Sequence, residues 1–163
     1  MSINRRVFLG TTAALAGSLA APMIVRAQSA PRVVVVGGGS GGATAARYIA
    51  RDGAWAVDVT LIEPQRIYHN CYFGNLYLGG FFDYDDLGHS YSTLASSHGI
   101  NVVHDWAVGV DRDAKTVTTD KGETINYDKL LISTGSRVRR LDFLPGADAD
   151  GVCYLRGIDD VEN

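Results

Sequence analysis

Three glycines, one acid and one thiol are the residues of this chain whose types and spacing could do chemistry. Gly37-Gly38-Gly39-Ser40-Gly41-Gly42 places Gly37, Gly39 and Gly42 in a G-x-G-x-x-G pattern. In that pattern the first glycine permits a tight turn. The second lets the backbone approach a pyrophosphate, and the third lets the next helix pack close to the preceding strand. The N–H groups that open such a helix, here around Ser40, Gly41 and Gly42, favour phosphate charge. Glu63 stands 21 positions after Gly42, where a carboxylate can accept hydrogen bonds from a ribose hydroxyl. Together these parts predict a dinucleotide site. Cys71, eight residues further on, puts a thiol in the loop that leaves the acid.

The elements that must position these residues can be read around them. Arg32 to Val36 is a β-branched run suited to a strand buried on both faces. Ala43 to Ala50 reads as a helix with small residues on its first turn, and Val57 to Ile62 as a second strand ending at Glu63. Leu87 to His98 suits a short helix with Leu87, Tyr91 and Leu94 on one face and Gly99 as its stop. Asn101 to His104 reads as a strand of the same sheet. Trp106–Asp111, Thr116–Thr119 and Glu123–Asn126 alternate between turn signals and predict a small antiparallel meander. Leu130-Leu131-Ile132 reads as a short buried strand, and the small trio Ser133-Thr134-Gly135 after it allows close backbone approach. The fold class is therefore α/β: a Rossmann-like parallel sheet with helices, plus the meander.

Other chemistries find little support. The chain has 15 Lys+Arg against 18 Asp+Glu. The first 27 residues hold three arginines and no acid, so the remainder carries a net charge of −6. That acidity argues against nucleic acid as a partner. No apolar stretch reaches the roughly 20 residues of a membrane span. His69, His89, His98 and His104 lack metal-ligand spacing, and Asp83, Asp85 and Asp86 read as a solvated acidic turn. Two cysteines 82 positions apart exclude a CxxC motif. By itself Cys71 is open to two readings: a small buried apolar residue, or one half of a disulfide with Cys153.

Residues 1–27 read as an address. Arg5-Arg6 precedes Val7-Phe8-Leu9, a weakly apolar run from Gly10 to Ala21, and small residues around a cleavage point after Ala27. Paired arginines predict the twin-arginine (Tat) export machinery and a periplasmic location. Residues 28–163 are then the N-terminal part of a dinucleotide-binding domain.

Two stretches resemble known families. Tyr127-Asp128-Lys129-Leu130-Leu131-Ile132-Ser133-Thr134-Gly135 is similar to a segment of the two-dinucleotide-domain FAD/NAD(P) oxidoreductases. There it runs back into the FAD sheet and turns close to the cofactor, which implies FAD contacts for Thr134 and Gly135. Tyr68-His69-Asn70-Cys71-Tyr72-Phe73-Gly74-Asn75-Leu76-Tyr77-Leu78-Gly79-Gly80 resembles the flavoprotein subunit of flavocytochrome c sulfide dehydrogenase, as do Gly88 to Tyr91, His98 to Asp105 and the export signal. The likeness covers residues 1 to about 140. It departs at Asn70, where the family often has Thr, and at Gly74, which replaces Ser.

This resemblance implies a FAD held by Gly37, Gly39, Ser40, Gly41, Gly42 and Glu63 and attached covalently through Cys71. It implies sulfide as substrate and a c-type cytochrome subunit as electron acceptor, in an exported oxidoreductase. It also puts the second nucleotide domain, the C-terminal domain and the redox-active disulfide beyond residue 163, so the expectation is an incomplete domain from a fragment or a truncated gene. Catalytic residues are not expected within these residues. Two rivals are a quinone-linked sulfide oxidoreductase or an NAD(P)H-dependent flavin reductase of the same fold. A non-catalytic exported nucleotide-binding domain is a third, against which the intact Gly37, Gly39, Gly42 and Glu63 speak.

Overall fold

The computed structural model describes residues 29–136, 139, 141 and 143–152. Residues 1–28, where an export signal is expected, lie outside them, as do Cys153 and the stretch after it. Strand β1 (Arg32–Val36) is followed by helix α1 (Ser40–Asp52) and strand β2 (Asp58–Ile62). An excursion comes next: β3 (Ile67–His69), a 3₁₀ turn (Cys71–Phe73), the short helix α2 (Gly74–Leu78), a second 3₁₀ turn (Tyr84–Leu87) and β4 (Gly88–Ser90). Helix α3 (Ser92–His98) leads to β5 (Asn101–Val103), then to a three-stranded meander, β6 (Ala107–Asp111), β7 (Thr116–Thr119) and β8 (Thr124–Asn126), and finally to β9 (Lys129–Ile132).

The main sheet has the order β5-β2-β1-β9 with every pairing parallel. A parallel strand needs cover on both faces, and alternation along β1 supplies it. Val35 joins Val59 and Leu61 under Ala46 and Ala50 of α1, with Tyr91 and Ile100. Val34 and Val36 point the other way and pack with Ile62, Val117 and Tyr127 beneath the meander. Gly42, Ala46 and Ala50 lie four residues apart on the buried stripe of α1, so the helix axis can come close to the sheet. Each buried Val or Leu adds about 1.5–3 kcal/mol. The meander is antiparallel and is tied down by buried Asp105, which accepts hydrogen bonds from the N–H groups of Trp106 and Lys121.

Two expectations change. The helix expected from Leu87 begins only at Ser92, because Gly88–Ser90 pairs antiparallel with Ile67–His69. Leu87 is still buried, but a turn delivers it. The strand through Leu130-Leu131-Ile132 forms beside β1, yet Leu131 and Ile132 are exposed. Among the described residues β9 is one of the two edge strands of the sheet, so its outer side has no neighbouring strand. No helix among the described residues is long and apolar enough to cross a membrane.

Candidate dinucleotide and flavin site

The glycine loop joins the carboxyl end of β1 to α1, where ligands of such sheets bind. Gly37 has φ +100°, a conformation that side chains oppose, and a Cβ there would strike the carbonyl of Ser133. A Cβ on Gly42 would run into the carbonyl oxygen of Gly37. These two glycines are therefore required by the fold itself. Gly39 differs. It caps α1 with φ −60° and ψ −178°, which any residue adopts, and a Cβ there would meet no protein atom within 4 Å. That Cβ would fill the space over the helix start, the place a pyrophosphate would take. The first-turn N–H groups of a helix lack carbonyl partners, and no acid sits in the first turn of α1. The loop therefore fits an anion, and a dinucleotide in particular.

Glu63 closes the loop from the end of β2. One carboxylate oxygen accepts the Gly38 N–H at 2.6 Å and the other the Gln65 N–H at 2.9 Å. Ionised carboxylate oxygens hold further lone pairs, so a ribose hydroxyl can still donate to them. Tyr91 holds the same loop from below: its buried hydroxyl donates to the Gly38 carbonyl at 2.9 Å. Burial pushes the Tyr91 phenol up, with a further contribution from the Glu63 charge, so it stays a donor at any physiological pH. His104 Nδ1 donates to the Glu63 carbonyl at 3.1 Å. On the opposite side Ser133 N–H donates to Val36 at 2.7 Å, and Gly135 (φ +74°) turns the chain away just after Thr134. Thr134 thus passes directly beside Gly37.

Cys71 is exposed and free, which sets aside the reading of a buried apolar thiol. Its proposed disulfide partner, Cys153, lies outside the described residues. The segment around Cys71 rests on the start of α1, where the Tyr72 hydroxyl and Ser40 Oγ are 2.8 Å apart. So Ser40, expected at the phosphate, turns its hydroxyl toward the Cys71 segment, while Gly37, Gly39, Gly41, Gly42, Glu63, Thr134 and Gly135 surround one loop. A cavity of about 370 Å³ lies alongside, between Ser40, Thr44 and Arg47 of α1 and Tyr68, His89 and Tyr91. Among the described residues no cluster of His, Cys, Asp or Glu could hold a metal ion. Sequence reasoning missed Tyr91, Tyr72 and Asn70. A signal existed for Tyr91, since a tyrosine on a buried face needs a partner for its hydroxyl.

The model of the pyridine nucleotide-disulphide oxidoreductase family matches residues 31–163. The chain belongs to that family. Among similar oxidoreductases is a probable ferredoxin reductase of Castellaniella defragrans, 34% identical over 134 residues, covering 80% of this chain and 32% of that protein. A sulfide-quinone reductase of Aquifex aeolicus is 34% identical over 110 residues, covering 67% of this chain and 25% of that protein. The crystal structure of the Aquifex aeolicus sulfide:quinone oxidoreductase aligns with TM-score 0.62 at 32% identity, over 68% of this chain and 25% of that one. This chain thus spans a third or less of the oxidoreductases it matches here.

A first expected outcome follows from Glu63. Glu63→Gln keeps the side-chain length and removes the charge, so the full-length protein should hold its dinucleotide less tightly by about 1.5–3 kcal/mol. Dialysis against graded free FAD, in a Cys71→Ser background, measures this as a rise in Kd. An unchanged Kd would remove Glu63 from the ribose.

Proposed function

We propose that this chain is the FAD-binding part of an exported flavoprotein that oxidises sulfide and passes the electrons to a c-type cytochrome in the periplasm. The observation that carries the reading is the position of Cys71. It is a free, exposed thiol eight residues beyond Glu63, on a segment tied to the helix that opens the dinucleotide loop. A thiol so placed suits covalent attachment of FAD, and a covalent cofactor cannot be lost outside the cytoplasm, where it could not be replaced. When bound, FAD supplies two-electron acceptance from a sulfur donor and one-electron delivery to a haem. The chain's own residues bind and orient it: the α1 N-terminus at the pyrophosphate, Glu63 at the ribose, Ser133-Thr134-Gly135 along the loop, Cys71 at the flavin. The likeness to a sulfide-quinone reductase supports sulfide as the electron donor. It also favours a second reading, in which a quinone accepts the electrons.

The test uses the full-length protein recovered from the periplasm. Its mature N-terminus should be Gln28, from cleavage after Ala27. Sulfide should bleach the flavin absorbance, NADH should not, and a c-type cytochrome should restore it faster than a short-chain quinone does. Faster recovery with the quinone selects the second reading. Bleaching by NADH and not by sulfide would reject both in favour of a pyridine-nucleotide-dependent reductase.

A further inference from the structure

The Cys71 segment and the dinucleotide loop meet at one residue, Ser40. Its Oγ lies 2.8 Å from the hydroxyl of Tyr72, 32 positions away. Tyr72 is 67% exposed, so packing does little to fix its position and the hydroxyl contact becomes the defining one. Asn70 acts from the other side of the thiol. Its Oδ1 accepts the Tyr72 N–H at 2.9 Å and caps the 3₁₀ turn Cys71–Phe73. The Asn70 N–H in turn donates to the Leu87 carbonyl at 2.8 Å, which fastens the segment to a residue that is itself buried. Cys71 is thereby held between a backbone anchor at Asn70 and a side-chain anchor at Tyr72. Tyr68, three residues before the thiol, lines the same cavity as Ser40.

We propose that Tyr72, through its hydroxyl contact with Ser40, is a positioning residue for covalent attachment of FAD to Cys71. The inference rests on the reading of Cys71 as the tether and adds the group that aims it. Attachment joins Sγ to the flavin methyl carbon and removes the thiol proton and one methyl proton. The two electrons released pass to the ring system, from which an external oxidant, dioxygen, takes them. The thiol must be held against that one carbon throughout, and a turn free to swing would spend most of its time elsewhere. Asn70 serves as a second anchor of the same turn, at the position where the resembling family often has Thr.

The experiment compares wild type, Tyr72→Phe, Ser40→Ala, Ser40→Thr and Cys71→Ser in the full-length protein, refolded or expressed without flavin and then supplied with FAD in air. Two quantities are read over time: total flavin bound before denaturation, and the fraction of the Cys71 peptide that carries the mass of FAD after it. Tyr72→Phe keeps the ring and should bind FAD non-covalently as wild type does, while attachment slows about tenfold, the rate equivalent of one neutral hydrogen bond. Ser40→Ala should slow attachment similarly from the other side of the contact, and Ser40→Thr, which keeps a hydroxyl, should restore it. Attachment at the wild-type rate in Tyr72→Phe or in Ser40→Ala overturns the positioning role and leaves the tether standing. Wild type that carries no FAD on Cys71 overturns both. If one variant fails to fold, the other removes the same contact and decides the question alone.

Discussion

Gly39→Ala will fold as the wild type does and lose its dinucleotide, whereas Gly42→Ala will be destabilised as well as binding its dinucleotide less well. The two glycines sit three residues apart in one motif, yet the protein's own atoms ask different things of them. At Gly42 a methyl group would run into the carbonyl oxygen of Gly37 and press on Ser133. Relief requires α1 to lift from β1 along the stripe Gly42, Ala46, Ala50. Overpacking of this kind costs about 1–3 kcal/mol or more, a large share of a typical margin of about 5–15 kcal/mol. At Gly39 a methyl group meets no protein atom within 4 Å and the backbone needs no change. The folded state loses only the modest N-cap preference of glycine over alanine, about 1 kcal/mol at most. The methyl does occupy the approach to the α1 N-terminus. Losing two charge-assisted hydrogen bonds to phosphate there corresponds to about 3–6 kcal/mol, or roughly 10²–10⁴ in Kd. Thermal unfolding of the apoprotein and FAD titration, both in a Cys71→Ser background, separate the two effects. A Gly42→Ala protein with the wild-type midpoint, or a Gly39→Ala protein with the wild-type Kd, would refute this division of roles.

The same contrast explains how much could be read in advance. The β1-loop-α1-β2 unit was legible because its constraints are local. A β-branched run, glycines at fixed offsets and an acid at the strand end each follow from backbone sterics and phosphate charge. The meander was legible through alternation and turn residues, and its strands fall within a residue of the expected bounds. The β3-β4 ribbon was not, because it pairs residues 67–69 with 88–90 across a long excursion and neither strand has a period to detect. It also explains the shortened α3: Leu87, Tyr91 and Leu94 keep helical spacing, but Gly88 gives its backbone to the ribbon. Tyr91 could be read as buried, though not as the donor to Gly38, since that contact joins residues 53 apart and depends on where α3 docks. Exposure of Leu131 and Ile132 was illegible for a related reason, because an apolar triplet looks the same in a central strand and at an edge.

Cys71→Ser should release all FAD from the denatured polypeptide while leaving the fold intact. The wild-type protein should remain yellow after acid or heat and yield a peptide containing Cys71 that is heavier by one FAD. The expectation starts from exposure. A thiol in the core would be inert packing, and its loss would be felt as a cavity. Cys71 is exposed, so replacing sulfur with oxygen disturbs no buried contact. Asn70 still caps the turn and Tyr72 still reaches Ser40, because neither bond uses the thiol. Gly38 remains fastened between Glu63 and Tyr91, so non-covalent binding persists. The variant therefore isolates the covalent bond: total flavin before denaturation is nearly unchanged, and covalent flavin falls to zero. Under the proposed function, sulfide should still bleach the flavin of the variant, with an altered flavin potential, since a thioether on the ring changes its electronics while the binding residues do not move. Wild type that surrenders all its FAD in acid would make Cys71 an ordinary surface thiol. The quinone-linked reading would then become the stronger one, because it needs the loop, Glu63 and Tyr91 and makes no demand on Cys71.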